Sequence, residues 1–165
     1  MATPPTVRVQ MLVRRPAHEV FEAFADPAVT TRFWFTRSTG RLAPGAEVRW
    51  DWQMYGASAV VHVRTLEPDR RIVLDWGSPG EPTTRVEWTF DARPEGTLVV
   101  ITNTGFSGTD DEVVAQALDA TGGFTFLLSG AKALLEHGVE LNLVADHHPD
   151  AHVAKQGTPP SRTDT

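Results

Sequence analysis

The sequence predicts an α+β fold: an antiparallel sheet of about six strands wrapped around one long C-terminal helix, with two short helices after the first strand. Three observations predict it. From Leu42 to Gly105 apolar residues recur with period two, broken at Pro44-Gly45, Tyr55-Gly56, Glu67-Pro68-Asp69, Gly77-Ser78-Pro79-Gly80 and Pro94-Glu95-Gly96, which reads as five consecutive strands. Their connections are too short for a parallel crossover, which needs a dozen or more residues, so neighbours run antiparallel. From Thr109 to Gly138 the period becomes that of a helix.

The chain begins with a short stretch, residues 1–5, expected to be flexible. Val7, Val9, Met11 and Val13 then alternate with Arg8, Gln10 and Leu12, a strand with one buried face. Arg15-Pro16 ends it, and Pro16 suits the first turn of a helix carrying Val20, Phe21 and Phe24 at one-turn spacing. Asp26-Pro27 stops that helix and starts a second, expected to carry Phe33, Trp34 and Phe35.

The five-strand meander follows, and after it the long helix. Thr109-Asp110-Asp111-Glu112 is a capping box, in which hydroxyl and carboxylate satisfy each other's orphan backbone donors. Gly138 suits a left-handed C-terminal cap. Val113, Ala117, Thr121, Phe124, Leu128, Ala131 and Leu135 fall on one face. At 1.5 Å per residue such a helix spans roughly 45 Å, the length needed to cross a sheet. The Gly122-Gly123 pair in its middle costs roughly 1 kcal/mol per glycine relative to alanine, which suggests a close backbone approach or a bend. Residues 6–146 are read as a single domain and 147–165, mostly polar with several prolines, as a disordered tail.

Composition narrows the function. The 165 residues are 41% hydrophobic and 22% charged, enough for one real core. A net charge of -6 with no Lys/Arg run argues against nucleic acid as a partner. No basic-flanked signal core and no membrane-length apolar run occur, so a cytoplasmic protein without stable membrane association is expected. Zero cysteine removes disulfides, thiolate zinc sites and cysteine nucleophiles together.

Strand, two short helices, meander and long helix make a helix-grip arrangement. Val20-Phe21-Glu22-Ala23-Phe24-Ala25-Asp26-Pro27 followed by Trp34, then Arg71-Ile72-Val73-Leu74-Asp75-Trp76, Val86-Glu87-Trp88-Thr89-Phe90, and Gly123-Phe124 with Leu128, Lys132, Leu135 and Glu136, resemble the START-like (SRPBCC) superfamily. Within it the resemblance is to the branch named after the activator of the heat-shock protein 90 ATPase, over roughly residues 6–138. The resemblance implies a hydrophobic cavity between sheet and helix. It does not imply one function, because members range from lipid and steroid carriers to polyketide cyclases.

Alternation places Val48, Trp50, Trp52 and Met54 inward, with Val61 and Val63, Ile72, Leu74 and Trp76, and Val86, Trp88 and Phe90. Val99 and Ile101 compete with Leu98 and Val100 for the buried side. The candidate ligand-binding residues are therefore Trp34, Trp50, Trp52, Met54, Trp76, Trp88, Asn103, Phe124 and Leu128, with Tyr55, Thr102, Thr104, Thr121, Thr125 and Ser129 as further polar groups. Arg49, Asp51, Asp75, Arg85 and Glu87 share the outer parity with His62, where cross-strand charge pairs are expected instead of catalysis. Asp146, His147, His148, Asp150 and His152 have metal-ligand chemistry but no zinc-signature spacing, so no metal is expected, and no cofactor motif is present.

The preferred reading is binding of a small hydrophobic or aromatic molecule between sheet and helix. A second is a polyketide cyclase or hydratase in which Tyr55 or Asn103 positions an enolisable ligand. A third, implied by the resemblance, is an interaction module acting on a chaperone ATPase. The sequence also admits a homodimer, through the charged outer face or the 139–146 segment.

Overall fold

A computed structural model describes residues 3–153. Seven strands form one antiparallel sheet: β1 (Val7–Val13), β2 (Arg37–Ser38), β3 (Glu47–Trp52), β4 (Ala57–Glu67), β5 (Arg71–Gly77), β6 (Thr84–Arg93) and β7 (Gly96–Thr104). Their spatial order is β1-β7-β6-β5-β4-β3-β2, a meander from β2 to β7 with β1 added beside β7. The count exceeds the expected six because Arg37 and Ser38 pair with Asp51 and Trp50. Two residues have no alternation to read.

The helices are α1 (Ala17–Ala25), α2 (Pro27–Thr30), α3 (Asp110–His137) and α4 (Leu143–Asp146). Asp26 separates the first two and caps the second, its Oδ1 accepting from the Ala28 N–H at 3.0 Å. Here the expectation needs correcting: α2 ends at Thr30, and Phe33, Trp34 and Phe35 follow it. All three are buried. Successive helical positions point about 100° apart, so a helix would have turned one of these rings to solvent; the irregular backbone seats all three.

Inner-face register settles the parity left open on β7. Val86, Trp88 and Phe90 of β6 pair with Asn103, Ile101 and Val99, so those three β7 residues face inward and are buried. Between β4 and β5 the register shifts between Val63 and Thr65, a bulge that increases local twist. At the β6–β7 turn Gly96 lies so near β1 that a Cβ would stand 2.3 Å from the Val13 carbonyl oxygen. No other residue fits there.

The capping box at Thr109 and Glu112 and the left-handed Gly138 bound α3. Its buried residues are Ala117, Phe124, Leu127, Leu128, Gly130, Ala131 and Leu134. Thr121 is exposed, and Val113 and Leu135 are only partly buried. The stripe is thus shifted toward Leu127 and Leu134 and concentrated in the C-terminal half. That half packs along β1, where Lys132 Nζ donates to the Leu12 carbonyl at 2.8 Å and Glu136 accepts from the Arg14 N–H at 3.1 Å. In the N-terminal half only Ala117 is buried, with Ala120 packed beside it, and Val114 and Leu118 are 52% and 69% exposed.

Of the stretch expected to be a tail, residues 147–153 carry a short 3-10 turn, Pro149–Ala151. They dock on the β3–β4 connection: the Val153 N–H donates to the Met54 carbonyl at 2.8 Å, and the Tyr55 hydroxyl donates to the Val144 carbonyl. Residues 154–165 lie outside the described residues.

Candidate functional site

Trp50, Trp88, Phe124 and Leu128 are 1–3% exposed and Trp34 is 9% exposed. Phe35 stacks on Trp50 at 4.7 Å, Trp34 meets Trp50 edge-on at 4.9 Å, and Phe124 approaches Trp76 and Trp88 at 5.8 and 6.2 Å. The deep space between sheet and helix is therefore filled by its own aromatic rings. Such stacked and edge-to-face pairs each add about 0.5–1.5 kcal/mol beyond area burial. Among the described residues, Trp88 Nε1 is the one buried side-chain nitrogen or oxygen without a hydrogen-bond partner.

An open cleft remains where the aromatic cluster meets the N-terminal half of α3. Its volume is about 370 Å³, and Trp52, Trp76, Asn103, Phe106, Gln116 and Asp119 line it together with Ala57–Ala59 and, around the β5–β6 connection, Gly77, Ser78, Glu81, Pro82 and Thr84. Trp52 and Trp76 are partly buried and lie 6.2 Å apart at 64°. Trp76 also touches Trp34, Trp50 and Phe124, so it forms the floor between cleft and core. A volume near 370 Å³ lies toward the lower end of the range for small-molecule sites, which suits a ligand of two or three rings.

Three of the nine candidate residues, Trp52, Trp76 and Asn103, line this cleft. Trp34, Trp50, Trp88, Phe124 and Leu128 are placed in the core behind it. Met54 borders a separate depression of about 120 Å³ between Thr31–Thr36 and Asn142–Ala145. The sequence reading missed Phe106, Gln116 and Asp119. Phe106 lies in the β7–α3 connection, outside any periodic segment, and Gln116 and Asp119 are one turn apart on a helix face that apolar spacing does not mark. Of the polar candidates, Thr121, Thr125 and Ser129 donate to the carbonyls of Ala117, Thr121 and Thr125, the local back-bonding these residues make within helices.

The outer face carries the expected charge pairs. Asp51 accepts from Ser58 Oγ at 2.6 Å, Arg37 Nε at 2.8 Å and Arg49 Nε at 3.0 Å. These hydrogen bonds, Ser58's first, hold its carboxyl far below the usual carboxylate range despite burial. Asp75 lies between Arg85 and Arg64, and its pKa is lowered chiefly by the Arg85 hydrogen bond. Asp51, Asp75 and Glu87 are each matched to arginine, as a structural network would have it.

Among the described residues no group of three or more His, Asp or Glu is arranged to hold a metal ion. His147 Nδ1 and His152 Nε2 instead meet the Leu143 and Ala145 carbonyls at 3.0 and 2.7 Å. No helix of the described residues is long and apolar enough to cross a membrane.

Comparison with known proteins agrees with this architecture. A protein of Staphylococcus saprophyticus, SSP2350, shares 30% identity with a TM-score of 0.71, over 83% of this chain and 96% of its own. DynU16, a protein in the dynemicin biosynthetic locus, matches at 24% identity and a TM-score of 0.69, over 82% of this chain and 48% of its own. The Aha1 dimer from Colwellia psychrerythraea matches at 14% identity and a TM-score of 0.71, over 81% of this chain and 98% of its own. No curated protein matches the chain. The profile of the activator of Hsp90 ATPase homolog 1-like proteins matches residues 14–136, and with the seven-stranded sheet closed over α3 it establishes that the chain belongs to this family, a branch of the START-like superfamily.

Proposed function

We propose that this protein binds a small hydrophobic or aromatic molecule in the cleft at the mouth of the sheet–helix interface. The observation that supports it is the pairing of two accessible tryptophans, Trp52 and Trp76, with the deeply buried Asn103 in one open cleft. A flat ligand there buries its faces against Trp52, Trp76 and Phe106, at about 25 cal/mol per Å² of apolar surface removed from water. Asn103 supplies orientation. The cyclase reading has less support, because Tyr55 donates its hydroxyl to Val144 outside the cleft, leaving Asn103 alone in that role.

Native mass spectrometry of the purified protein, followed by calorimetric titration with a panel of two- and three-ring aromatic compounds, tests the reading. A co-purifying mass or saturable heat that Trp76→Ala weakens tenfold or more supports it; a bare mass and no heat across the panel removes it. A homodimer, the other partner considered, would use the charged outer face or the 139–146 segment, where Val139 and Leu141 are 45% and 46% exposed. Sedimentation as a monomer at all concentrations would exclude that partner.

A further inference from the structure

We infer that the cleft selects a flat ligand that brings a hydrogen-bond donor, a protonated amine above all, and disfavours a carboxylated ligand of the same shape. The inference rests on the ligand-binding reading and adds the polar chemistry of the ligand. Asn103 is 2% exposed. Its Nδ2 donates to Thr84 Oγ1 at 3.0 Å and to the Arg85 carbonyl at 2.9 Å. A carbonyl can only accept, so the amide orientation follows: the nitrogen faces Arg85, and Oδ1 has no donor among the described residues. Because Oδ1 is also not among the sealed, partnerless atoms, it is open to the cleft that Asn103 lines.

Gln116 repeats the pattern at the rim. Its Nε2 donates one hydrogen to the Ser107 carbonyl at 2.8 Å, and Oε1 has no donor among the described residues. The charged residues lining the cleft are Glu81 and Asp119, and no lysine, arginine or histidine lines it. Asn103 thus uses both amide donors internally and presents oxygen, and Gln116 presents oxygen with one remaining N–H, beside two carboxylates. The tryptophans act in the same direction, since an indole face carries a negative quadrupole that attracts a cation and repels a carboxylate. A buried acceptor left without a donor is costly once a ligand excludes water, so a ligand that supplies an N–H or O–H to Asn103 Oδ1 binds better than one that does not.

Three probes of one shape separate these effects in calorimetry at low salt: β-naphthylmethylamine, protonated at neutral pH, β-naphthylmethanol, and β-naphthoate. The amine is expected to bind on the order of tenfold more tightly than the carboxylate, with the alcohol between, from two rim carboxylates of modest exposed-pair strength. Raising salt to about 0.5 M narrows the gap, and the Glu81→Gln, Asp119→Asn double variant narrows it about threefold or more. Equal affinities, a tightest-binding carboxylate, or a gap unchanged in the double variant would overturn the charge preference while leaving the binding reading intact. No heat from any probe up to about 1 mM would remove the binding reading and this inference with it.

Discussion

Asp51 shows how much one side chain of the outer face is asked to do. It is 7% exposed, yet keeps its charge through Ser58, Arg37 and Arg49. Its folded pKa is lowered, so the stability it contributes is present above the ordinary carboxylate value near 3.9 and lost as pH falls through and below it. Urea unfolding between pH 5 and pH 3 should show falling stability, with a shallower fall in Asp51→Asn, a variant expected to cost about 1–3 kcal/mol at pH 7. Gly122 and Gly123 make the opposite case. A Cβ at either position would meet nothing within 4 Å, so neither a close approach nor packing requires them. Gly122→Ala should raise stability by about 0.5–1 kcal/mol through helix propensity alone, read as an increase in Tm. On α3 the glycine that faces the core is Gly130, where a Cβ would meet Phe33 at an ordinary contact distance of 3.5 Å.

At the scale of elements, the segment after α3 behaves as a clasp on the β3–β4 connection. Tyr55 donates to Val144, its ring meets that of His152 at 5.3 Å, and Val153 both bonds the Met54 carbonyl and packs on Gly56. Tyr55→Phe removes the hydroxyl and leaves the Val144 carbonyl to water, a loss of about 0.5–1.5 kcal/mol. Hydrogen exchange should quicken in residues 143–153 without change in the core strands, since local openings have their own free energies. Within α3 the two halves differ in kind. The C-terminal half is buried against β1 and anchored by Lys132 and Glu136, whereas the N-terminal half holds Gln116 and Asp119 over the cleft.

Over the whole molecule, the aromatic residues divide into a filled core and an open mouth, and two substitutions should separate them. Trp50→Ala empties a fully enclosed site beside Phe35 and Trp34 and is expected to cost about 3–5 kcal/mol, visible as a large drop in urea midpoint. Trp76→Ala removes a partly solvated ring at the cleft floor. It should cost less stability and more ligand affinity, and comparing urea midpoints with calorimetric affinities for both variants checks the division.

The fold class was legible because its signals are local: period-two alternation, turn residues and a capped helix are properties of neighbouring residues. Residues Leu42–Gly105 as five antiparallel strands and α3 from Thr109 to Gly138 follow from those signals alone. The family, too, was legible from the order of its motifs. The inward parity of the tryptophans could likewise be read, but parity says only which face a ring joins. Whether the rings leave a cavity depends on how Trp34 and Phe35 fold back from outside the sheet to meet Trp50, and on where the N-terminal half of α3 lies over the strands. These contacts join residues distant in sequence, and packing at that range leaves no periodic trace. Sequence therefore determined the sheet, the helix and the aromatic face, while tertiary structure decided that the core is filled and that the opening lies among Trp52, Trp76, Asn103 and Phe106.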